Sequence, residues 1–283
     1  MADSPEGLTV IFPVATGGDP AALPPALNSW LHVLDHVERP YEVLLVLDGA
    51  TDAWRAAADT VAAGNPRVKV LALDHPTGYG AGVRLGLVEA TQPLIFYSAL
   101  DGGWNPGDLP RMLAAIDFKD EYTDRTVELV NGHRRGLPEP GGRTLRRKAF
   151  NVFIRVVYGM WPDAPKGYLG PAESRYWYRA RLQFGLRLGD VNSRFKLFRR
   201  SVFDRLVIQS DGEFVHTEIL AKANFLGTLM DEMVLTDKCV PGALPDMSAD
   251  RRVVFNHPKF HSPVQTPDNQ PPMPSLEAAM PAV

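Results

Sequence analysis

Two acids in this chain stand where chemistry is done in open α/β sheets. Asp48 ends the apolar run Tyr41-Glu-Val-Leu-Leu-Val-Leu47, and Asp101 follows Phe96-Tyr-Ser-Ala-Leu100 and precedes Gly102-Gly103. A carboxylate at the C-terminal end of a buried strand faces the crevice in which such sheets hold their ligands. The glycine-rich stretch Thr77-Gly-Tyr-Gly-Ala-Gly82 opens a helix, so its backbone N–H groups could meet an anion; a tight turn explains the glycines equally well. Arg134, Arg135, Arg143, Arg146, Arg147 and Lys148 form the densest basic stretch, which reads either as a seat for an anionic partner or as a solvated face. Glu213, His216 and Glu218 could suggest a metal or acid/base group. The five-residue step from Glu213 to Glu218 does not put both on one helical face, so they are read as structural.

Alternating strands and helices must position these residues. Apolar, β-branched runs predict strands over Leu8–Val14, Tyr41–Leu47, Val68–Leu73, Pro93–Tyr97, Val127–Asn131 and Thr228–Leu235. Between them, helical spacing predicts helices at 21–37, 53–63, from the glycine stretch to about 90, and at 108–116, with others at 201–206 and around Glu213 to Glu218. This alternation predicts an α/β sandwich around a mostly parallel sheet. An amphipathic segment, 149–160, follows the basic stretch, and 161–183 is rich in tyrosine, tryptophan and arginine; an exposed helix packed through its aromatics or a membrane interface would produce that composition. Beyond 261 the chain is rich in proline and patternless, which predicts disorder.

At 283 residues the chain can bury one large core. Its net charge of -3 gives no whole-chain attraction to nucleic acid, and no nucleic-acid partner is expected. The single cysteine, Cys239, excludes an intramolecular disulfide and a cysteine zinc cluster, and is read as a buried thiol. With no secretory signal pattern and no run of ~18 apolar residues, the expectation is a cytoplasmic protein, with peripheral membrane contact through 149–183.

From about Leu8 to Leu235 the chain resembles the inverting family-two glycosyltransferases of GT-A fold, and is similar to the dolichyl- and polyprenyl-phosphate sugar transferases among them. The resemblance rests on Glu42-Val-Leu-Leu-Val-Leu-Asp-Gly-Ala-Thr-Asp52, Gly78-Tyr-Gly-Ala-Gly-Val-Arg84, Asp101 with Pro106-Gly-Asp-Leu-Pro110, Asp190 with Phe195-Lys-Leu-Phe-Arg-Arg200, and Gln209-Ser-Asp-Gly212 with Glu218. It implies a Rossmann-like GT-A domain over 1–240, with an aromatic and basic insertion at about 161–183 and a C-terminal extension over 241–283. It further implies transfer of a sugar from a nucleotide donor to an acceptor, with polyprenyl phosphate the acceptor of the closest family members.

On that resemblance Pro13, Asp48, Gly78 and Asp101 bind the donor, and Asp101 holds a divalent cation, Mg or Mn, against the diphosphate. Arg134, Arg135, Arg143, Arg147, Gln209 and Glu218 then meet the acceptor, and Asp190 is the candidate base for a hydroxyl acceptor alongside Asp101 as a catalytic acid residue. The chain departs from the family at three places. Pro13-Val-Ala-Thr-Gly17 lacks the usual Asn-Glu, Leu47 replaces the first of paired aspartates, and Ala99-Leu-Asp101 keeps only the second carboxylate of Asp-x-Asp. Two functions follow: a glycosyltransferase with a reduced metal requirement, or a degenerate GT-A domain that binds a nucleotide, a lipid phosphate or a protein without turnover.

Overall fold

The computed structural model describes residues 5–261 apart from 102, 120–124, 136–148, 150–151, 153–155, 157–170 and 239–245. Seven strands form one sheet: β1 (Leu8–Ala15), β2 (Tyr41–Asp48), β3 (Val68–Leu73), β4 (Leu94–Tyr97), β5 (Leu129–Arg135), β6 (Lys196–Arg199) and β7 (Met230–Lys238). Their order is β3-β2-β1-β4-β6-β5-β7. All neighbours run parallel except β6, which is antiparallel to both β4 and β5.

Near-continuous apolar composition in β1 and β2 follows from burial on both faces. Val10, Phe12 and Val14, with Val43, Leu45 and Leu47, enter one core, whereas Ile11, Leu44 and Val46 enter the other. Helix α1 (Leu23–Leu34) covers the first face by presenting Leu23, Leu27, Trp30, Leu31 and Leu34 on one stripe. Helices α2 (Asp52–Gly64) and α4 (Leu109–Ile116) join it there, with Trp54, Met112 and Leu113 in the same core. The opposite face is covered by α3 (Tyr79–Glu89), α5 (Pro171–Phe184) and, after the short α6 (Arg200–Phe203), by α7 (Val215–Phe225) and α8 (Ser248–Asn256).

The sequence pattern located the first four strands to within two residues and left three later features unread: β6, the end of β5 and helix α8. β6 is only four residues long and carries the fully buried Lys196, so no apolar alternation announces it. β5 runs four residues past its expected end because Gly132 and His133 pair with Met233 and Val234 of β7, which draws Asn131 and His133 into the interior. Helix α8 lies in the stretch read only as an extension. It packs through Val254 and through Phe255, whose ring stacks 4.2 Å from Phe184. The expected disorder beyond 261, the segment 149–160 except for isolated positions, Cys239, Arg143 and Arg147 all lie outside the described residues.

Candidate active site

Strands β2 and β3 lie to one side of β1 and β4 to the other, so the strand order reverses between β1 and β4. A crevice opens outside the C-terminal ends of strands at such a point. Here it is a cleft of about 590 Å³, walled by Pro13, Val14 and Ala15 of β1, Asp48 of β2, Ala99, Leu100 and Asp101 after β4, and Trp54 and Leu23 from the helices. Gly78, Tyr79, Arg194 and Glu213 complete it. All four residues expected at the donor, Pro13, Asp48, Gly78 and Asp101, therefore line one cavity.

Asp48 is half-buried and uses both oxygens locally: Oδ1 accepts the Thr77 N–H at 2.7 Å and Oδ2 that of Gly78 at 2.9 Å. The bonds tie the end of β2 to the glycine turn that starts α3. Gly78 has φ +126°, and a Cβ there would stand 2.5 Å from the Asp211 carbonyl oxygen; at Gly80 the Ser210 carbonyl would be 2.4 Å away. These two glycines serve a backbone-to-backbone approach between the turn and the Gln209–Gly212 loop. Close chain packing, a third reason beside the anion and tight-turn readings, accounts for Gly78 and Gly80.

Asp101 is half-exposed; its Oδ1 accepts the Gly103 N–H at 3.0 Å and its Oδ2 the Arg194 Nη1–H at 3.2 Å. The same guanidinium donates to Glu213 through Nε at 3.1 Å and Nη2 at 2.7 Å, and lies 5.0 Å over the Tyr79 ring. Glu213 in turn faces His216 Nε2 at 3.1 Å, and His216 Nδ1 stands 3.0 Å from the Tyr97 hydroxyl. A carboxylate only accepts, so Nε2 carries the proton and Nδ1 accepts from Tyr97. Burial presses His216 down to about 4 against the pull of Glu213, which keeps the ring neutral near neutral pH. Burial alone would raise the Glu213 carboxyl, but His216 and Arg194 outweigh it and hold it below its ordinary value.

A divalent cation at Asp101 does not fit these residues as they stand. Ala99 supplies no second carboxylate, and both oxygens of Asp101 are engaged, one by a guanidinium. Among the described residues no three His, Cys, Asp or Glu side chains gather as a metal group.

Three residues expected at the acceptor or as a base, Asp190, Glu218 and Gln209, make contacts inside the fold. Asp190 is buried and forms a bidentate pair with Arg134, Nε to Oδ2 at 2.6 Å and Nη2 to Oδ1 at 2.9 Å. Burial would raise its carboxyl, and the Arg134 charge overrides this to hold it low, so Asp190 anchors Arg134 and is a poor proton acceptor. Glu218 is fully buried, accepting the N–H groups of Gln209 and Ser210, each at 2.8 Å, and pairing with Lys222 Nζ at 2.7 Å. Gln209 binds Lys222, Lys259 N–H and the His257 carbonyl, stapling the segment after α8 to this loop. Glu218 and Gln209 thus spend their polar atoms inside the fold. Arg135 is exposed at the end of β5.

The residues that sequence reading missed are Arg194, Glu213, His216, Tyr79 and Glu232. The spacing argument did separate Glu213 from Glu218, since they face different partners, but it assigned both to structure. Arg194 lay inside the motif from Asp190 to Arg200 and carried the available signal, a charged residue two positions before a strand. Glu232 had none: it accepts the N–H groups of Gly189 and Asp190 from 42 residues away in sequence and so shapes the loop that presents Arg194.

A crevice at a switch point with acids at strand ends is the ligand-binding arrangement of an open α/β domain. The Glycosyl transferase family 2 model matches residues 9–207, and the chain belongs to that family. It is 30% identical over 202 residues to an undecaprenyl-phosphate mannosyltransferase of Micrococcus luteus, covering 69% of this chain and 71% of that one. An undecaprenyl-phosphate 4-deoxy-4-formamido-L-arabinose transferase of Pectobacterium atrosepticum is 24% identical over 216 residues, 76% of this chain and 63% of its own length. The GT-A fold is shared with glucosyl-3-phosphoglycerate synthase of Mycobacterium tuberculosis in complex with Mn²⁺ and UDP-glucose, at TM-score 0.56 and 15% identity, over 88% of this chain and 77% of that one. Among the described residues no helix is long and apolar enough to cross a membrane.

Proposed function

We propose that this family-two glycosyltransferase moves a sugar from a nucleotide donor held in the cleft to the phosphate of a polyprenyl lipid. The observation that carries the reading is the meeting of Pro13, Asp48, Gly78 and Asp101 in one crevice at the ends of β1, β2 and β4. The names of the Micrococcus and Pectobacterium relatives support the lipid acceptor. In the reaction an acceptor phosphate oxygen forms a bond to the anomeric carbon, and the bond from that carbon to the donor diphosphate breaks with its electron pair on the leaving group. An ionised phosphate needs no base, which agrees with a sealed Asp190. Arg134, fixed by Asp190, and Arg135 at the end of β5 are proposed to meet the acceptor phosphate, with Arg143 and Arg147 nearby in sequence. Contact with a membrane surface, where such an acceptor resides, belongs to the same proposal.

The test supplies undecaprenyl phosphate in detergent with radiolabelled UDP-glucose, UDP-galactose or GDP-mannose. Label should pass into the organic phase with one of these donors. Absence of transfer and of nucleotide release with every donor tried would remove the enzyme reading and leave a binding domain.

A further inference from the structure

We infer that Arg194 supplies the positive charge that holds the donor diphosphate in this chain, in the place beside Asp101 where a divalent ion would otherwise sit. The inference rests on the nucleotide-sugar reading above. It predicts that donor binding is independent of divalent metal.

The loop before β6 delivers Arg194 into the cleft wall with its side chain 32% exposed. A guanidinium carries five N–H donors in a fixed plane. Three are used, two on Glu213 and one on Asp101, which leaves one on each Nη for a ligand. N–H groups held in one plane match the oxygens of a phosphate. Glu213 grips the guanidinium from behind and is itself locked through His216 to Tyr97, so the cation is placed before any ligand arrives. The contact to Asp101 is the longest of the three and the one nearest to solvent, so it is the one a phosphate oxygen displaces.

The same geometry opposes a metal. An ion bound at about 2.1 Å from Asp101 Oδ2 would lie within roughly 5 Å of the guanidinium, with like charges facing each other across a partly desolvated wall. Asp48 is turned toward the glycine turn, where each of its oxygens accepts one backbone N–H, from Thr77 and Gly78. Asp19, which also lines the cleft, accepts the Ala21 N–H at 3.0 Å. Arg194 and a divalent ion are therefore competitors for one carboxylate, and the sequence that lost the Asp-x-Asp pair at Ala99 has a fixed arginine at that point.

The experiment is calorimetric titration of the full chain with UDP and with GDP, in EDTA and in Mn²⁺, for the native protein, Arg194→Gln and Arg194→Lys. The expected result is that the native affinity for one nucleotide agrees within about twofold between EDTA and Mn²⁺. Arg194→Gln should bind at least about tenfold more weakly in EDTA, the size of one lost charge-assisted pair, and recover with Mn²⁺ because Asp101 is released. Arg194→Lys, which keeps the charge without the fork, should fall between them and remain indifferent to Mn²⁺. Melting temperatures of the three proteins separate a binding loss from unfolding; if Arg194→Gln melts early, the Lys variant carries the test. Native binding that appears only with Mn²⁺ would overturn the inference while leaving the glycosyltransferase reading intact. Binding of neither nucleotide under either condition would overturn both.

Discussion

The two halves of the sheet spend their charges differently. Around the ends of β1, β2 and β4, Asp48, Asp101, Arg194 and Glu213 keep part of their surface open to the cleft. Around β5, β6, β7 and α7, Asp190, Lys196, His133, Glu218 and Lys222 are buried, and each has a partner inside the protein. Lys196 shows the cost: burial presses its ammonium down to about 7 although Asp190 and Glu232 pull the other way. Pairing that is complete inside the protein builds architecture, whereas pairing that leaves donors on one side prepares a ligand site. Both kinds contain Asp, Glu and Arg, so residue type alone does not tell them apart.

The largest effect should come from breaking the buried side. Lys222→Met removes the cation beside the fully buried Glu218 and should cost about 3–5 kcal/mol in urea unfolding, with Glu218→Gln/Lys222→Met returning part of it, because the amide keeps an acceptor for the Gln209 and Ser210 N–H groups. A single change that left the unfolding midpoint in place would erase the distinction between the halves. On the open side, Asp101→Ala should leave stability within about 0.5 kcal/mol and lower transfer by about tenfold, since it removes the carboxylate that follows β4 in the wall of the donor cleft. Equal losses of stability and of turnover would move Asp101 to the architectural group.

The smallest effect concerns Glu42, which joins β1 and β2 to the chain after α3. Burial raises its carboxyl, but hydrogen bonds from Thr91, Lys69 and Thr9 prevail and bring it to about 2. A carboxyl lowered in the folded state contributes stability that is full above its unfolded value of about 4.5 and is lost as the pH falls through the folded value. Glu42→Gln should therefore flatten the decline of the urea midpoint between pH 4.5 and 2. An unchanged decline would assign it to the other carboxylates.

Much of the fold was legible because parallel strands buried on both faces read as apolar runs; the first three units, from Leu8 to Glu89, follow directly. The donor side was legible for the same reason, since Asp48 and Asp101 end such runs. What could not be read depends on partners remote in sequence. Asp190 and Arg134 were each assigned to acceptor chemistry, and only the register of β5 shows that they face one another across 56 residues. Glu218 matched a motif and turned out to cap the loop that staples α8, because its i+4 neighbour is a lysine with no water to visit.

Since β6 alone runs against its neighbours, its first residues reach the sheet edge at which β1, β2 and β4 have just ended. The cleft is thereby assembled from strand exits and one strand entrance. The exits are bound by the hydrophobic core on either side, and the turn from Asp190 to Phe195 is held as firmly, with Val191, Ser193 and Phe195 buried and Asp190 paired with Arg134. Arg194 is the residue of that turn that lines the cleft, so a substitution there should change the charge offered to a ligand while the sheet and both cores stay as they are.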